Sequence, residues 1–169
     1  MLIGVASDTH GYVDPRLVEA FVGVDAILHA GDVGSAAVLE ALAAIAPVHA
    51  VCGNNDEPLA CLGLPHVLDL AFEGVAVRVV HELPHAGDLA GGRVLVYGHS
   101  HRQVNEERGG VLHLNPGAAG RAGFHAVQTA ALLTIDSGGV RAEPVLLGPR
   151  VKLQRQRTAL LLNSDLICG

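Results

Sequence analysis

Short apolar segments that end in polar turns dominate this chain, and the first three alternate with segments of helical character. Buried strands are predicted for these three segments, over Leu2–Ser7, Asp25–Ala30 and Val48–Cys52. Helices are predicted between them, over Arg16–Val22 with Asp14 as N-cap and over Ala36–Ala44 with Ser35 as N-cap. This β-α-β-α-β order is typical of a parallel sheet covered by helices.

The second half of the chain is predicted to be mainly β. Six further strands are predicted, over His66–Phe72, Val75–Val80, Arg93–Tyr97, Val111–Leu114, Thr129–Ile135 and Val140–Leu147. The turn residues Glu73-Gly74 and Ser137-Gly138-Gly139 predict two hairpins. The two halves together indicate two sheets packed face to face, with helices outside, in one domain over 1–148. Residues 149–169 are predicted to be a C-terminal tail or a short helix.

Composition limits the classes of function that fit the chain. Its 169 residues suit one domain, and a formal charge of −6 argues against a dedicated nucleic-acid binder. Three cysteines without metal-binding spacing fit a reducing compartment better than a disulfide framework. There is no run of 18 apolar residues and no plausible signal peptide, so we expect a cytoplasmic protein without a membrane partner.

A residue that can bind a metal follows each of five predicted strands, usually beside a glycine. The segments are Asp8-Thr9-His10-Gly11, Gly31-Asp32, Gly53-Asn54-Asn55-Asp56, His81 and Gly98-His99-Ser100-His101. In open α/β sheets, sites form in the crevice beyond the carboxyl ends of the strands. In Asp-x-His and His-x-His, side chains two residues apart on an extended stretch point the same way. The five segments are therefore predicted to converge on one site.

These candidate ligands are nitrogen and oxygen donors without a thiolate, a set that suits Mn, Fe, Co, Ni or Zn rather than a structural zinc site. Seven side chains are too many for one ion but suffice for two ions that share a carboxylate. Two metals about 3.5–4 Å apart can hold a hydroxide and clamp a phosphoryl group. With Asp8, Asp32 and a hydroxide, two divalent cations leave a net positive charge that attracts a phosphate anion.

The five motifs, taken in order, resemble those of the calcineurin-like metallophosphoesterases, and the branch they resemble most is the small bacterial and archaeal phosphodiesterases. The resemblance runs from Leu2 to about Leu147 and includes the turn Asn115-Pro116-Gly117 followed by Arg121. It implies a four-layer αββα sandwich of two mixed β-sheets flanked by helices. It also implies two divalent metal ions as cofactors, with manganese first and nickel, iron, cobalt or zinc as alternatives.

The resemblance further implies how the seven ligands divide between the two metals. The first metal would be bound by Asp8, His10, Asp32 and His101. Asp32 would bridge to the second metal, which Asn54, His81 and His99 would complete. Arg121 is a candidate for orienting phosphate oxygens, a task suited to a guanidinium group, and a plain surface arginine is the equal alternative.

The chain departs from the pattern of this family at several positions. At Asn55 many relatives have a histidine that helps to protonate the leaving group, and an amide cannot do this near neutral pH. Such a loss costs roughly 10²–10⁴-fold with poor leaving groups, which favours diesters or activated esters over alkyl phosphomonoesters. Glu82 and Ala118 replace the usual Gly and Ser, and only 17 residues separate His81 from His99, where relatives usually fit a helix.

The other histidines are interpreted mainly as structural. His29 and His49 alternate within strands and are predicted to be packed rather than ligating, and His66, His113 and His125 are predicted to be ordinary surface or strand residues. His85 is close enough in sequence to His81 to reach the cleft as an alternative.

The sequence thus predicts a metal-dependent phosphoesterase that hydrolyses small phosphodiesters. Its expected partner is a small phosphate ester rather than a nucleic acid, and a homo-oligomer is left open. Two other classes of function remain as alternatives on the same fold: a non-catalytic scaffold, and a phosphomonoesterase or nuclease.

Overall fold

The computed structural model describes residues 1–56, 63–89, 91 and 93–150. The ten strands are β1 Leu2–Ala6, β2 Ala26–His29, β3 Val48–Ala50, β4 Val67–Phe72, β5 Val75–Val80, β6 Val94–Val96, β7 Gln103–Arg108, β8 Val111–Pro116, β9 Val127–Asp136 and β10 Gly139–Pro149. The helices formed by the described residues are α1 Pro15–Ala20, α2 Ala36–Ala43 and the short 3-10 helix Leu83–Ala86. In the described ranges, no helix is long and apolar enough to cross a membrane.

The strands form two mixed sheets of five strands each. The first sheet has the order β10-β9-β1-β2-β3 and the second has the order β4-β5-β6-β8-β7. Strands β1, β2 and β3 are parallel to one another, as are β5, β6 and β8, and the hairpin partners are antiparallel. The parallel strands of each sheet therefore end at the same edge of that sheet, where the predicted ligands follow them.

Two apolar layers hold the sandwich together. Between the sheets, valine and leucine side chains from both form one core that includes Val5, Leu28, Val79 and Val96. On the outer side of the first sheet, α1 and α2 cover a second core built around Phe21. Aliphatic residues thus supply most of the packing, as expected for a chain with only 3% aromatic residues.

The predicted sandwich is confirmed, but its fourth layer is thin. In the described part of the chain, the outer face of the second sheet packs against the 3-10 helix Leu83–Ala86, and no α-helix lies there. This agrees with the short spacing between His81 and His99. The predicted turn at Glu73-Gly74 is also present, and both residues have positive φ, +50° and +78°, as a two-residue hairpin turn of type I′ requires.

Two details differ from the sequence-based expectations. Strand β7 was not predicted, because Gln103–Arg108 is polar and Val104 is its only half-buried residue. Strand β10 extends beyond the predicted end at Leu147 to Pro149, which pairs with Val127. The predicted C-terminal tail or short helix lies outside the described residues from 151 onward, so it stays a prediction.

Candidate metal centre

The loops that follow β1, β2, β3, β5 and β6 bring the predicted ligands together in one place. Asp8, Asp32 and His81 are buried, whereas His10 and His101 are half-buried and Asn54 and His99 are exposed. The site is therefore a cleft with a buried floor of carboxylates and a more open rim of imidazole and amide groups. Two groups of its side chains, which share Asp8, are close enough to hold an ion.

The first group consists of Asp8, His10 and His101, whose ligand atoms lie within 4.8 Å of one another. Asp8 Oδ1 lies 3.1 Å from His101 Nε2. This oxygen is fully buried and has no hydrogen-bond partner, although Asp8 Oδ2 accepts a hydrogen bond of 3.2 Å from the His99 backbone N–H. A buried carboxylate oxygen without a partner is costly, so its position beside an imidazole nitrogen fits a bound cation.

The second group consists of Asp8, Asp32 and His81. Asp32 Oδ1 lies 3.5 Å from His81 Nε2, and Asp32 Oδ2 lies 3.7 Å from His10 Nε2. One oxygen of Asp32 thus faces each half of the cluster, which is the placement that a shared carboxylate needs. The orientation of the His81 ring is fixed, because its other ring nitrogen, Nδ1, lies 2.7 Å from the Ala30 carbonyl oxygen.

Asn54 joins the two remaining histidines. Its Oδ1 lies 3.0 Å from both His81 Nε2 and His99 Nδ1. The rings of these histidines are 5.2 Å apart, almost perpendicular to each other. Two imidazole nitrogens and one amide oxygen therefore point into a common space, and together with the two carboxylates they form a set of N and O donors suited to divalent transition metals.

The backbone at the predicted ligands is strained. Among the described residues, six non-glycine residues have positive φ, and five of them are Asp8, His10, Asp32, His99 and His101, with φ between +48° and +66°. Each such residue costs of the order of 1 kcal/mol or more, and strain of this kind clusters at functional sites. The local conformation is therefore set by the convergence of the side chains rather than by backbone preference.

The electrostatics of the site keep Asp32 ionised. Burial raises the pKa of this carboxyl, but hydrogen bonds from His81 and from the backbone and side chain of Asn55 outweigh that effect and hold the pKa well below its ordinary value. Burial lowers the pKa of His81, and its contacts with Asp32 and the Ala30 carbonyl oxygen outweigh it and raise the pKa. Asp32 is thus negatively charged and attracts cations to the floor of the cleft.

Asn55 lines the cleft and also donates two hydrogen bonds to Asp32. Its backbone N–H donates to Asp32 Oδ1 at 2.9 Å and its Nδ2 donates to Asp32 Oδ2 at 2.6 Å. Buried Asp56 fixes the loop that follows β3, because its carboxylate accepts hydrogen bonds from the backbone N–H groups of Val33, Gly34 and Gly53 at 2.8–3.0 Å. Sequence reasoning gave Asp56 no role, although the aspartate of the motif Gly-Asn-x-Asp was visible.

A cleft of about 650 Å³ opens above the cluster. It is lined by His10, Asn55, His99, Ser100, His101, Arg102, Ala122, Gly123, Phe124 and His125. Arg102 is exposed and is a lining residue of the cleft, whereas the guanidinium of Arg121 lies 3.4 Å from the centre of the Tyr12 ring. The role predicted for Arg121 stays a prediction, and Arg102 was missed because no motif marks it.

The other histidines divide into three cases. His29 is fully buried, with Nε2 3.0 Å from Thr9 Oγ1, as expected for a packed residue. His85 is exposed on the 3-10 helix, does not line the cleft, and its ring contacts that of His66. His125 differs from its interpretation as an ordinary surface or strand residue: it lines the cleft, and its Nδ1 lies 3.2 Å from His101 Nδ1.

Comparisons with known proteins identify the family of the chain. Residues 1–138 match the family model described as the calcineurin-like phosphoesterase superfamily domain. The chain is 34% identical over 133 residues to a probable metallophosphoesterase of Methanothermobacter thermautotrophicus, an alignment that covers 70% of this chain and 77% of that protein. It is also 34% identical over 134 residues to a probable metallophosphoesterase of Methanocaldococcus jannaschii, covering 70% and 68%.

Solved structures share the fold. An archaeal phosphodiesterase superposes with a TM-score of 0.70 at 25% identity, covering 86% of this chain and 99% of that one. Vps29 from Entamoeba histolytica, solved in complex with zinc, superposes with a TM-score of 0.69 at 22% identity, covering 88% and 100%. The second likeness concerns the fold alone.

Proposed function

The chain belongs to the calcineurin-like phosphoesterase superfamily, and from this membership and the strand-end cluster we propose that it hydrolyses small phosphodiesters with the help of two divalent cations. The observation that carries the proposal is the pair of carboxylates on the floor of the cleft. Asp8 presents a buried oxygen without a hydrogen bond, and Asp32 presents one oxygen to each half of the cluster.

The seven predicted ligands fit such a pair of ions. Asp8, His10 and His101 would hold the first cation, and Asn54, His81 and His99 would hold the second, with Asp32 between them. When bound, the cations would polarise the phosphoryl oxygens and supply a hydroxide nucleophile. Manganese is the first ion to test, because the donors are imidazole, amide and carboxylate groups.

Residues of the chain itself would orient the carboxylate and the substrate. Asn55 holds Asp32 through two hydrogen bonds, so we assign to it a positioning role rather than that of a proton donor. Arg102 lines the cleft next to the predicted ligand His101 and can bind the non-bridging oxygens of a phosphate ester. A guanidinium group binds such oxygens in a fixed geometry, which favours one orientation of the substrate.

The lack of a free acid favours activated esters and diesters over alkyl phosphomonoesters. Among the described residues that line the cleft there is no Asp or Glu. His125 also lines the cleft, but its Nε2 lies 3.0 Å from the Gly120 carbonyl oxygen, so a proton on Nε2 is held in that hydrogen bond. Esters whose leaving groups need no protonation should therefore be the better substrates. The structural likeness to an archaeal phosphodiesterase also supports this choice.

The test is hydrolysis of bis-p-nitrophenyl phosphate and p-nitrophenyl phosphate by metal-free protein supplied with Mn²⁺, Ni²⁺ or Zn²⁺. Both compounds release p-nitrophenolate, so their ratio reports the choice between diester and monoester rather than the lack of an acid. From the likeness to a phosphodiesterase we expect turnover of the diester at least tenfold faster than that of the monoester, and we expect a loss of at least 100-fold for Asp8→Asn. Asp136→Asn is the matched control, because Asp136 ends β9 at the edge of the sheet opposite the cleft. Folded protein without turnover under any of these metals would refute the proposal.

The arginines can be tested in the same assay. We expect Arg102→Ala to raise KM for the diester about tenfold, in line with the loss of one charged hydrogen bond of about 1.5–3 kcal/mol. Arg121→Ala tests the prediction made for Arg121 from the sequence. If only the second variant loses activity, Arg121 leaves Tyr12 to bind substrate and our assignment of Arg102 is wrong.

A scaffold without catalysis is the alternative function that the sequence leaves open on the same fold. Metal analysis of the purified protein, after dialysis against buffer containing Mn²⁺, separates the two. The proposed enzyme should retain about two ions per chain, whereas a scaffold has no need of a complete pair.

A further inference from the structure

His125 lies on the loop between β8 and β9, directly beside the predicted ligand His101. The two rings are 5.2 Å apart and their Nδ1 atoms are separated by 3.2 Å. The other nitrogen of His125, Nε2, lies 3.0 Å from the carbonyl oxygen of Gly120. A row of hydrogen-bonding groups thus leads from the backbone through His125 to His101.

The direction of each hydrogen bond in this row follows from what its groups can do. A carbonyl oxygen only accepts, so His125 Nε2 carries the proton and donates to Gly120. In a neutral imidazole the other nitrogen is then a bare acceptor, and His125 Nδ1 accepts from His101 Nδ1–H. His101, with its proton on Nδ1, has its lone pair on Nε2.

In this tautomer the lone pair of His101 Nε2 faces the Asp8 carboxylate. Its neighbour, Asp8 Oδ1 at 3.1 Å, is the buried oxygen that has no hydrogen bond. Two lone pairs at this distance repel each other unless a cation lies between them, so this tautomer is the one that a bound cation would select. The wrong tautomer, with the proton on Nε2, would block the point between them.

The loop is shaped to bring His125 to this position. Gly123 has a φ of +106°, and a Cβ atom on it would overlap the His101 ring. The backbone at Gly123 therefore closes on one face of His101 while His125 meets its Nδ1. A side chain at position 123 would push the two histidines apart.

We propose that His125 is a positioning residue that fixes the tautomer and the ring orientation of His101, so that Nε2 is the atom offered to the first cation. This inference rests on the proposed function for the identity of the ligand, but it makes a separate claim about protons in the metal-free protein. Groups that orient metal-bound histidines in this way typically contribute about 10–100-fold to metal affinity.

The first test is the histidine tautomers of the metal-free protein at pH 8, measured by long-range ¹H–¹⁵N NMR. We expect a proton on Nδ1 of His101 and the Nε2–H tautomer for His125. The variant His125→Phe keeps the ring volume but removes the acceptor, so His101 should lose its preference for the Nδ1–H tautomer. Finding His101 as Nε2–H in the unmodified protein would overturn the inference, whatever the catalytic activity.

The second test is the affinity for Mn²⁺, measured by isothermal titration calorimetry. His125→Phe should weaken one of the two binding events about 10–100-fold, and His125→Asn, whose Oδ1 can replace the accepting Nδ1, should recover a large part of it. His85→Phe, an exposed histidine outside the cleft, is the matched control and should bind as the unmodified protein does.

The two proposals can fail separately. If the unmodified protein binds Mn²⁺ and hydrolyses diesters but His125→Phe binds both ions with unchanged affinity, the role of His125 is refuted and the proposed function stands. If the tautomers are as expected but the protein binds no metal and turns over no ester, the proposed function is refuted and the hydrogen-bonded row remains as a structural feature.

Discussion

Replacing Gly31 with alanine should distort the second half of the candidate metal centre. Gly31 has a φ of +83°, and a Cβ atom there would lie 2.7 Å from His81 Nδ1 and 2.8 Å from His81 Cβ and Cγ. Since ordinary contacts of this kind are 3.4–4 Å, the ring must move by at least 0.6 Å. His81 is 2% exposed and is bound at 2.7 Å to the Ala30 carbonyl oxygen, so it has no free space into which to move.

Gly23 provides a matched control for the backbone part of this effect. Its φ of +82° is almost the same as that of Gly31, but a Cβ atom on Gly23 would meet nothing within 4 Å. Gly23→Ala therefore carries the cost of a left-handed conformation, about 1–2 kcal/mol, less the gain from a less flexible unfolded chain, about 0.4–1 kcal/mol. The difference between the two variants isolates the collision with His81.

We expect Gly23→Ala to lower the free energy of unfolding by about 1 kcal/mol. Gly31→Ala should lower it by a further 1–3 kcal/mol, roughly the cost of forcing an extra methyl group into a packed interior. Binding sites need their ligands held to within about 0.5 Å, so Gly31→Ala should also weaken the binding of one Mn²⁺ ion at least tenfold, whereas Gly23→Ala should not.

Urea unfolding of the metal-free variants gives the stabilities, and Mn²⁺ titration of the same samples gives the affinities. Equal stabilities for the two variants would mean that His81 moves aside at no cost, contrary to its buried and hydrogen-bonded position. Unchanged Mn²⁺ binding by a destabilised Gly31→Ala variant would remove His81 from the set of ligands.

Three further predictions concern the loops and helices that carry the site. Burial lowers the pKa of His29 from 6.5 to about 4, so between these pH values the unfolded chain takes up a proton that the folded chain excludes. Up to about 3 kcal/mol of stability is therefore lost as the pH falls from 6.5 to 4. In His29→Gln the free energy of unfolding, measured with urea at each pH, should change less over this range. Asp14→Ala should lower the free energy of unfolding by about 1–2 kcal/mol, because the side chain accepts a hydrogen bond at the start of α1, whereas Ser35→Ala should cost less than about 0.5 kcal/mol, because Ser35 makes no such bond in α2. Asp56→Ala leaves three backbone N–H groups without an acceptor and should cost about 3 kcal/mol or more in urea unfolding, and Asp56→Asn, which loses one acceptor, should cost less.

The parts of the fold that the sequence predicts are those in which one local signal points to one structure. Asp14 precedes Pro15 and caps α1 through its side chain, as the pattern of an N-cap followed by proline indicates. Strand β7 lacks such a signal. It is an edge strand with five exposed residues, and pairing with β8 around the Gly109-Gly110 turn defines it. Its register is a tertiary property that residue patterns alone do not carry.

The same distinction separates the parts of the candidate site. The seven predicted ligands could be placed near one another from the sequence because each follows a strand beside a recognisable turn, and strand ends meet in space. Arg102 and His125 lie on the loops around the cleft and repeat no pattern, so their positions depend on how those loops fold. The stacking of Arg121 on Tyr12 is equally invisible in the sequence, since the two residues are far apart in the chain.

The left-handed backbone at five of the predicted ligands connects the fold to its proposed function. Asp8, His10, Asp32, His99 and His101 adopt positive φ at a cost of the order of 1 kcal/mol or more each, although glycine would adopt the same conformation more easily. The backbone conformation at these five positions therefore favours glycine, and yet each position carries a side chain that can bind a metal. Cations that bind only the folded chain would offset this cost, because stability then rises with the ratio of metal concentration to its dissociation constant. On this reasoning Mn²⁺ should stabilise the protein by about 2.7 kcal/mol for each independent site at 100 times its dissociation constant, and a melting temperature that does not respond to Mn²⁺ would leave the strain without a function.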